Sequence, residues 1–316
     1  MDLIIDVPLP TSLPLLDAVA YVQRAEKLGF DGLGVPDHPE HGRDVFVMLA
    51  HLAQRTERIM LYPSVTNPVV RHPLTLANQV NTLNEIAPGR VKLALAPGDA
   101  ALQALGKRPA TIAEMGAAVS TIRRLLRGEA VEGYAFSVKP TGSPPPVVVA
   151  GSRRRITELA GEIADEALLM AGLEPEMLAL AQGYLETGAG RSGRSLEAFP
   201  VTHYTLVSVD EDLSAARERT RGWLHLWLKQ GQFAPALEQV GMELPPYPLP
   251  DDIPAAVLAR LCDALFLVAT PGTIVERFLR LQHSGVDHVA CLIPGGALEA
   301  RRTLEILGER VLPVLG

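Results

Sequence analysis

The stretch from Ile59 to Asp99 constrains this chain more than any other. A short apolar run (Ile59–Pro63) breaks into Ser64-Val65-Thr66-Asn67-Pro68. A helical pattern follows, then a second apolar run (Val91–Ala96) that breaks into Pro97-Gly98-Asp99. Apolar runs this short, bounded by turn-forming residues, read as strands buried on both faces. Between them, Leu76, Val80, Leu83 and Ile86 share one helical stripe. The unit is therefore β-loop-α-β-loop. Both loops leave the carboxyl ends of strands, where α/β folds carry their chemistry.

The same alternation extends along the chain. Strands are predicted at Leu3–Val7, Gly32–Pro36, Ile59–Pro63, Val91–Ala96, Val147–Ala150, Ala167–Met170, Val201–Val209 and His288–Ile293, with helical patterns between them. Eight such units in about 300 residues predict a (β/α)₈ TIM barrel of the α/β class, a single domain over residues 1–316. A doubly wound sheet would open on a Gly-rich phosphate loop, whereas the first strand here leads into Pro8-Leu9-Pro10-Thr11-Ser12. After the seventh strand, residues 231–254 read as an irregular Pro-rich insertion. It is either a lid over the barrel mouth or a surface excursion without a role. The apolar stretch Ala255–Leu267 reads as helix, and Pro271 as a first-turn helical residue.

Composition narrows the function classes. Apolar residues make up 47% and charged ones 21%, which indicates a packed globular chain, and the net charge of -7 argues against nucleic-acid binding. Cys262 and Cys291 both sit in apolar sequence, so buried free thiols are expected rather than a metal cluster or a disulfide. No signal peptide or membrane-spanning stretch is recognisable, and a cytoplasmic location is expected.

Four predicted strand tips carry the candidate chemistry. Asp37-His38 follows the second strand; it either binds and protonates a small molecule or caps a turn. His38 and His41 also suit a metal, but no third ligand at a known spacing accompanies them, and no metal is expected. The crowded run Ser64-Val65-Thr66-Asn67 follows the third strand. After the fourth, Gly98 lets main chain approach a flat ligand, and Asp99 either lies beside that ligand or caps the next helix. After the fifth, Ala150-Gly151-Ser152-Arg153 starts a helix whose free N–H groups and positive end suit a phosphate, or else form a solvated basic helix start.

Taken in order, these loops resemble the bacterial luciferase-like superfamily of (β/α)₈ flavin and deazaflavin oxidoreductases. The branch they are most similar to includes methylene-tetrahydromethanopterin reductase. The likeness extends over essentially the whole chain and is carried by Ala25-Glu26-Lys27-Leu28-Gly29-Phe30-Asp31-Gly32, Pro36-Asp37-His38, Ser64-Val65-Thr66-Asn67-Pro68, Arg71-His72-Pro73, Pro88-Gly89-Arg90, Pro97-Gly98-Asp99 with Leu105-Gly106, and Val149-Ala150-Gly151. The resemblance implies coenzyme F420 as cofactor, with FMN as the alternative. It implies a non-proline cis peptide at Ser64-Val65 behind the cofactor's central ring, with Thr66 and Asn67 along that ring. It implies Pro97, Gly98 and Asp99 along another part of the ring, Gly151, Ser152 and Arg153 around the phosphate, and Asp37, Ala96 and Ala150 as further cofactor-binding residues. His38 and Asp99 match positions that stabilise or protonate the reacting centre. Relatives usually carry glycines where this chain has Ala94 and Ala96, so the Ala96 methyl is expected to crowd the cofactor.

The activity expected is hydride transfer between F420 and a small organic substrate. The alternatives are an FMN-dependent monooxygenase fed by a partner flavin reductase, a flavin-binding protein without turnover, and a metal-dependent hydrolase using His38 and His41. A homo-oligomer is expected from the resemblance. Trp223, Trp227, Phe233 and Tyr247 suit either an apolar substrate pocket or core packing.

Overall fold

A computed structural model describes residues 4–315 apart from Ser12, Pro39, Asp99 and Ala104. Nine parallel strands lie among the described residues: β1 (Ile4–Pro8), β2 (Gly32–Val35), β3 (Met60–Pro63), β4 (Leu93–Leu95), β5 (Val147–Gly151), β6 (Glu166–Leu169), β7 (Val201–Val209), β8 (Leu267–Ala269) and β9 (His288–Leu292). The order is β3-β2-β1-β9-β7-β6-β5-β4. Bridges from Leu61 to Val91 and from Thr66 to Leu95 join the two ends, so eight strands close a barrel. The eight predicted strands are all present, each within two residues of its expected ends.

The ninth strand is a correction. Leu267–Ala269 lies at the end of a stretch read as helix; the helix stops at Leu265, and the next residues pair with Val207–Val209 instead. Long β7 extends beyond its partner β9, and this overhang supplies the edge that β8 completes. Pro271 lies in a turn before the helix Ile274–His283 rather than in its first turn.

Alternation along each strand sends one set of side chains to the barrel axis and the other to the surrounding helices. Tyr62, Ala94, Val148, Ala150 and Leu168 form the apolar interior cluster, with Val65, Ala96 and Tyr204 packed on it. Glycine occupies inward positions on β2 for steric reasons. A Cβ on Gly32 would lie 2.2 Å from an Asp6 carboxylate oxygen, and one on Gly34 would lie 2.5 Å from the Ser64 Cβ.

The segment between β7 and β9 is larger and more ordered than a Pro-rich excursion at 231–254. Ala234–Gln239 is helical, and so are Arg221–Lys229 and Ala255–Leu265 on either side. Leu224, Trp227, Phe233, Leu258, Leu261 and Phe266 give it a core of its own, which meets the barrel at Leu206, Tyr204 and Leu292.

Candidate functional site

The loops leaving β2, β3 and β4 are hydrogen-bonded side by side at the rim. The Ser64 amide donates to the Val35 carbonyl at 2.8 Å. The Thr66 amide donates to the Ala94 carbonyl at 3.1 Å, and the Ala96 amide to the Thr66 carbonyl at 2.9 Å. The barrel pairing is interrupted between these bonds, and there the Ser64–Val65 peptide is cis, as the resemblance implies. The side chains of Val65, Ala96 and Ala150 share the interior apolar cluster, which brings the β5 tip to the same opening.

Asp37 does not cap a turn. Its carboxylate accepts the Thr66 hydroxyl at 2.7 Å and pairs with the Arg71 guanidinium. Arg71 also reaches Asp44 at 2.9 Å, so a single guanidinium ties the β2 loop at two points. Asp44 in turn accepts the amides of Phe46 and Val47, capping the helix Val45–Ala53. The Asn67 side-chain oxygen accepts the Val69 and Val70 amides at 3.1 and 2.8 Å, so it holds its own loop in shape. The Arg71-His72-Pro73 motif carried no role for Arg71; its two partners on the β2 loop, Asp37 and Asp44, supply one.

Gly98 has φ +93°, and a Cβ there would lie 2.5 Å from Leu102. Both facts require glycine and leave bare main chain beside Asn67. Ala96 and Pro97 are half-buried next to it. Asp99 lies outside the described residues. His38 is half-buried at the β2 tip, its ring stacked on His41 with centroids 4.4 Å apart.

At the β5 tip, the helix Arg154–Ile163 begins after Arg153 with no side-chain cap. The neighbouring donors are engaged from the inserted segment: the Ser152 hydroxyl bonds Gln232, and the Arg153 guanidinium bonds the Gln230 carbonyl. Sequence reasoning gave no sign of this contact between distant loops. Of the four aromatic residues assigned to the mouth, Trp227 and Phe233 are buried in the inserted core, stacked edge-on against Phe266. Trp223 is exposed and Tyr247 half-buried.

A charged layer lies at the opposite, amino-terminal end of the strands. The His288 Nε2 and the Tyr62 hydroxyl approach one Asp6 oxygen at 3.0 and 2.8 Å; Lys92 lies 3.7 Å from that oxygen and 3.4 Å from Glu166. Burial alone would raise the Asp6 carboxyl, but His288, Lys92 and these hydrogen bonds hold it well below the usual carboxylate range. The sequence signal for this layer was a charge in the middle of an apolar strand, as in Ile5-Asp6-Val7 and Val91-Lys92-Leu93.

The profile of the luciferase-like monooxygenase family matches residues 6–288. The chain belongs to this family. It is 28% identical to a 5,10-methylenetetrahydromethanopterin reductase of Archaeoglobus fulgidus, across 93% of this chain and 94% of that protein. It is 30% identical to an F420-dependent glucose-6-phosphate dehydrogenase of Beutenbergia cavernae, across 95% and 93%. The fold superposes on the coenzyme F420-dependent tetrahydromethanopterin reductase of Methanopyrus kandleri with a TM-score of 0.80, covering both chains completely at 22% identity. The (β/α)₈ architecture of luciferase-like proteins is thereby established for this chain. No helix among the described residues is long and apolar enough to cross a membrane.

Proposed function

We propose that this luciferase-like protein is an oxidoreductase that transfers hydride between coenzyme F420 and a small organic substrate. The observation that carries the reading is the joining of the β2, β3, β4 and β5 tips at one rim, through the Ser64, Thr66 and Ala96 hydrogen bonds and the Val65–Ala96–Ala150 contacts. Relatives whose names carry F420 chemistry match nearly end to end, and this favours F420 as the cofactor.

The residues present suit such a molecule. Gly98 exposes main chain where a Cβ has no room, which allows close approach of a flat ring. The uncapped start of helix Arg154–Ile163 offers amide donors, chemistry that fits a phosphate. Val65, Thr66, Asn67 and Pro97 would flank the ring. Gly151, Ser152 and Arg153 would hold the phosphate, with Gln230 and Gln232 yielding their present bonds or adding to the site. Ala96 keeps its methyl on the interior cluster, so it narrows the opening less than a side chain directed across the rim would.

When bound, F420 supplies a two-electron hydride carrier. The chain's own contribution is placement and proton control. Asp37, held by Thr66 and Arg71, fixes the loop bearing His38. His38 would hold or deliver a proton at its imidazole. Asp99 would take the same part from the β4 loop. The inserted segment, joined to Ser152 and Arg153, would act as a lid. A cytoplasmic homo-oligomer completes the proposal; sedimentation reads its assembly state.

Titration of the purified protein with oxidised and reduced F420 and with FMN tests the cofactor. Binding of neither at micromolar concentration ends the reading. Loss of turnover in Asp99→Ala tests the residue, and a wild-type rate removes it from the chemistry. The family's monooxygenase name favours a second reading with reduced FMN, oxygen and a partner flavin reductase. Oxygen uptake with reduced FMN, absent with F420, would select it.

A further inference from the structure

The loop between β2 and the helix Val45–Ala53 holds a cluster that hydride transfer does not require. His38, Glu40 and His41 each present a ligand atom, and these atoms lie within 4.8 Å of one another. The two imidazoles stack with 21° between their planes. The backbone accounts for this closeness. The Gly42 amide donates to the His38 carbonyl at 3.0 Å, closing a turn that returns His41 towards His38. A Cβ on Gly42 would crowd that carbonyl at 3.3 Å. Arg71 then fastens the base of the loop, bonding Asp37 at one end and Asp44 at the other. Its charge is matched by two carboxylates and opposes a nearby cation less than a lone guanidinium would.

We propose that His38, Glu40 and His41 form a binding site for a divalent transition metal of the zinc class. Two imidazoles and one carboxylate are the donor set such ions take, and three protein ligands leave coordination positions for water. The two imidazoles and the carboxylate bring their ligand atoms within reach of one ion, and Glu40 supplies a negative charge. The His38 Nδ1 accepts the Glu40 amide at 3.3 Å. Because His38 stands at the rim, the metal withdraws its imidazole from the substrate side. This consequence rests on the function proposed above; the binding does not.

The test uses the full chain, free of any affinity tag and stripped with a chelator. Zinc is titrated by calorimetry, and cobalt by the visible absorption that appears on coordination. One metal per chain is expected at micromolar concentration. His41→Ala and Glu40→Gln should each weaken it by more than about tenfold, since loss of a ligand exceeds the tenfold to hundredfold cost of a lost outer partner. Both positions are exposed, and unchanged circular dichroism would exclude misfolding. The absence of a cobalt spectrum, or zinc affinity unchanged in His41→Ala, overturns the proposal. Neither readout depends on turnover, so failure of the F420 reading leaves the metal result intact. Zinc inhibition that vanishes in His41→Ala would connect the two.

Discussion

Close contacts decide which residues the barrel interior tolerates. Gly34 is the sharpest case. An added Cβ would meet the Ser64 Cβ at 2.5 Å and the Tyr62 ring at 3.3 Å, and neither neighbour is a flexible side-chain end. Gly34→Ala must therefore displace the loop that carries Val65 and Thr66. Overpacking of this kind costs about 1–3 kcal/mol. The expected outcome is a lower denaturation midpoint together with weakened F420 binding, because one contact serves both core and rim. A variant that melts early but binds normally would separate the two roles. His203 sets a second residue-scale expectation. It points outward from β7 towards helix Pro175–Ser192, beside a 170 Å³ cavity also lined by Leu169, Leu178 and Asp287. Burial, with the nearby His288, pushes its pKa down to about 4. A folded value below the unfolded one, about 6.5, means the unfolded chain binds the proton first. His203 thus contributes stability that is full above pH of about 6.5 and is lost as pH falls towards 4. His203→Leu should flatten that part of the stability curve in urea titrations run across the range. Parallel curves would show that the acid sensitivity lies elsewhere.

At the level of elements, the segment between β7 and β9 behaves as a second packed body set against the barrel. Its centre is Trp227, which meets Phe233, Phe266, Trp223 and Tyr204 with ring centroids 5.5 to 6.5 Å apart. Trp227→Ala removes the shared member of this cluster, at a cost of about 3–5 kcal/mol. Hydrogen exchange should then show lost protection across Arg221–Lys229 and Ala255–Leu265, with β1 to β6 remaining protected. Equal loss in the barrel strands would mean that the two cores unfold as one. The same segment marks where sequence reading stopped. Most of the eight strands were legible because they are short apolar runs whose neighbours change abruptly to Gly, Pro, Asn or Asp; β7, nine residues with Thr, His and Ser among the apolar ones, was legible from its length and its β-branched residues. β8 was not, because Leu267–Ala269 continues an apolar helix without a break and becomes strand only through the β7 overhang. The rim loops could be named from their motifs. The bonds among them could not, since Asp37 to Arg71, and Ser152 to Gln232, join residues 34 and 80 positions apart. Spacing along a chain carries no record of such pairings.

For the molecule as a whole, the proposed cofactor would touch four loops that belong to four strands, so its binding should register in global stability. A ligand at a hundredfold excess over its Kd stabilises the folded state by about 2.7 kcal/mol. In a chain of this size that raises the melting temperature by about 5 °C. F420 is expected to produce this shift and FMN a much smaller one. The location of the effect is the stronger test. Protection from hydrogen exchange should rise together in the segments around Asp37, Thr66, Gly98 and Gly151, and in Gln230–Gln232 if that loop closes over the phosphate. Stabilisation by F420 that leaves any of the first four segments unprotected would place the molecule elsewhere on the barrel. Stabilisation by FMN in place of F420 would preserve the rim and transfer the chemistry to the monooxygenase reading. The rim as a binding surface and F420 as its occupant thus stand or fall separately, the first on the exchange pattern and the second on which ligand raises the melting temperature.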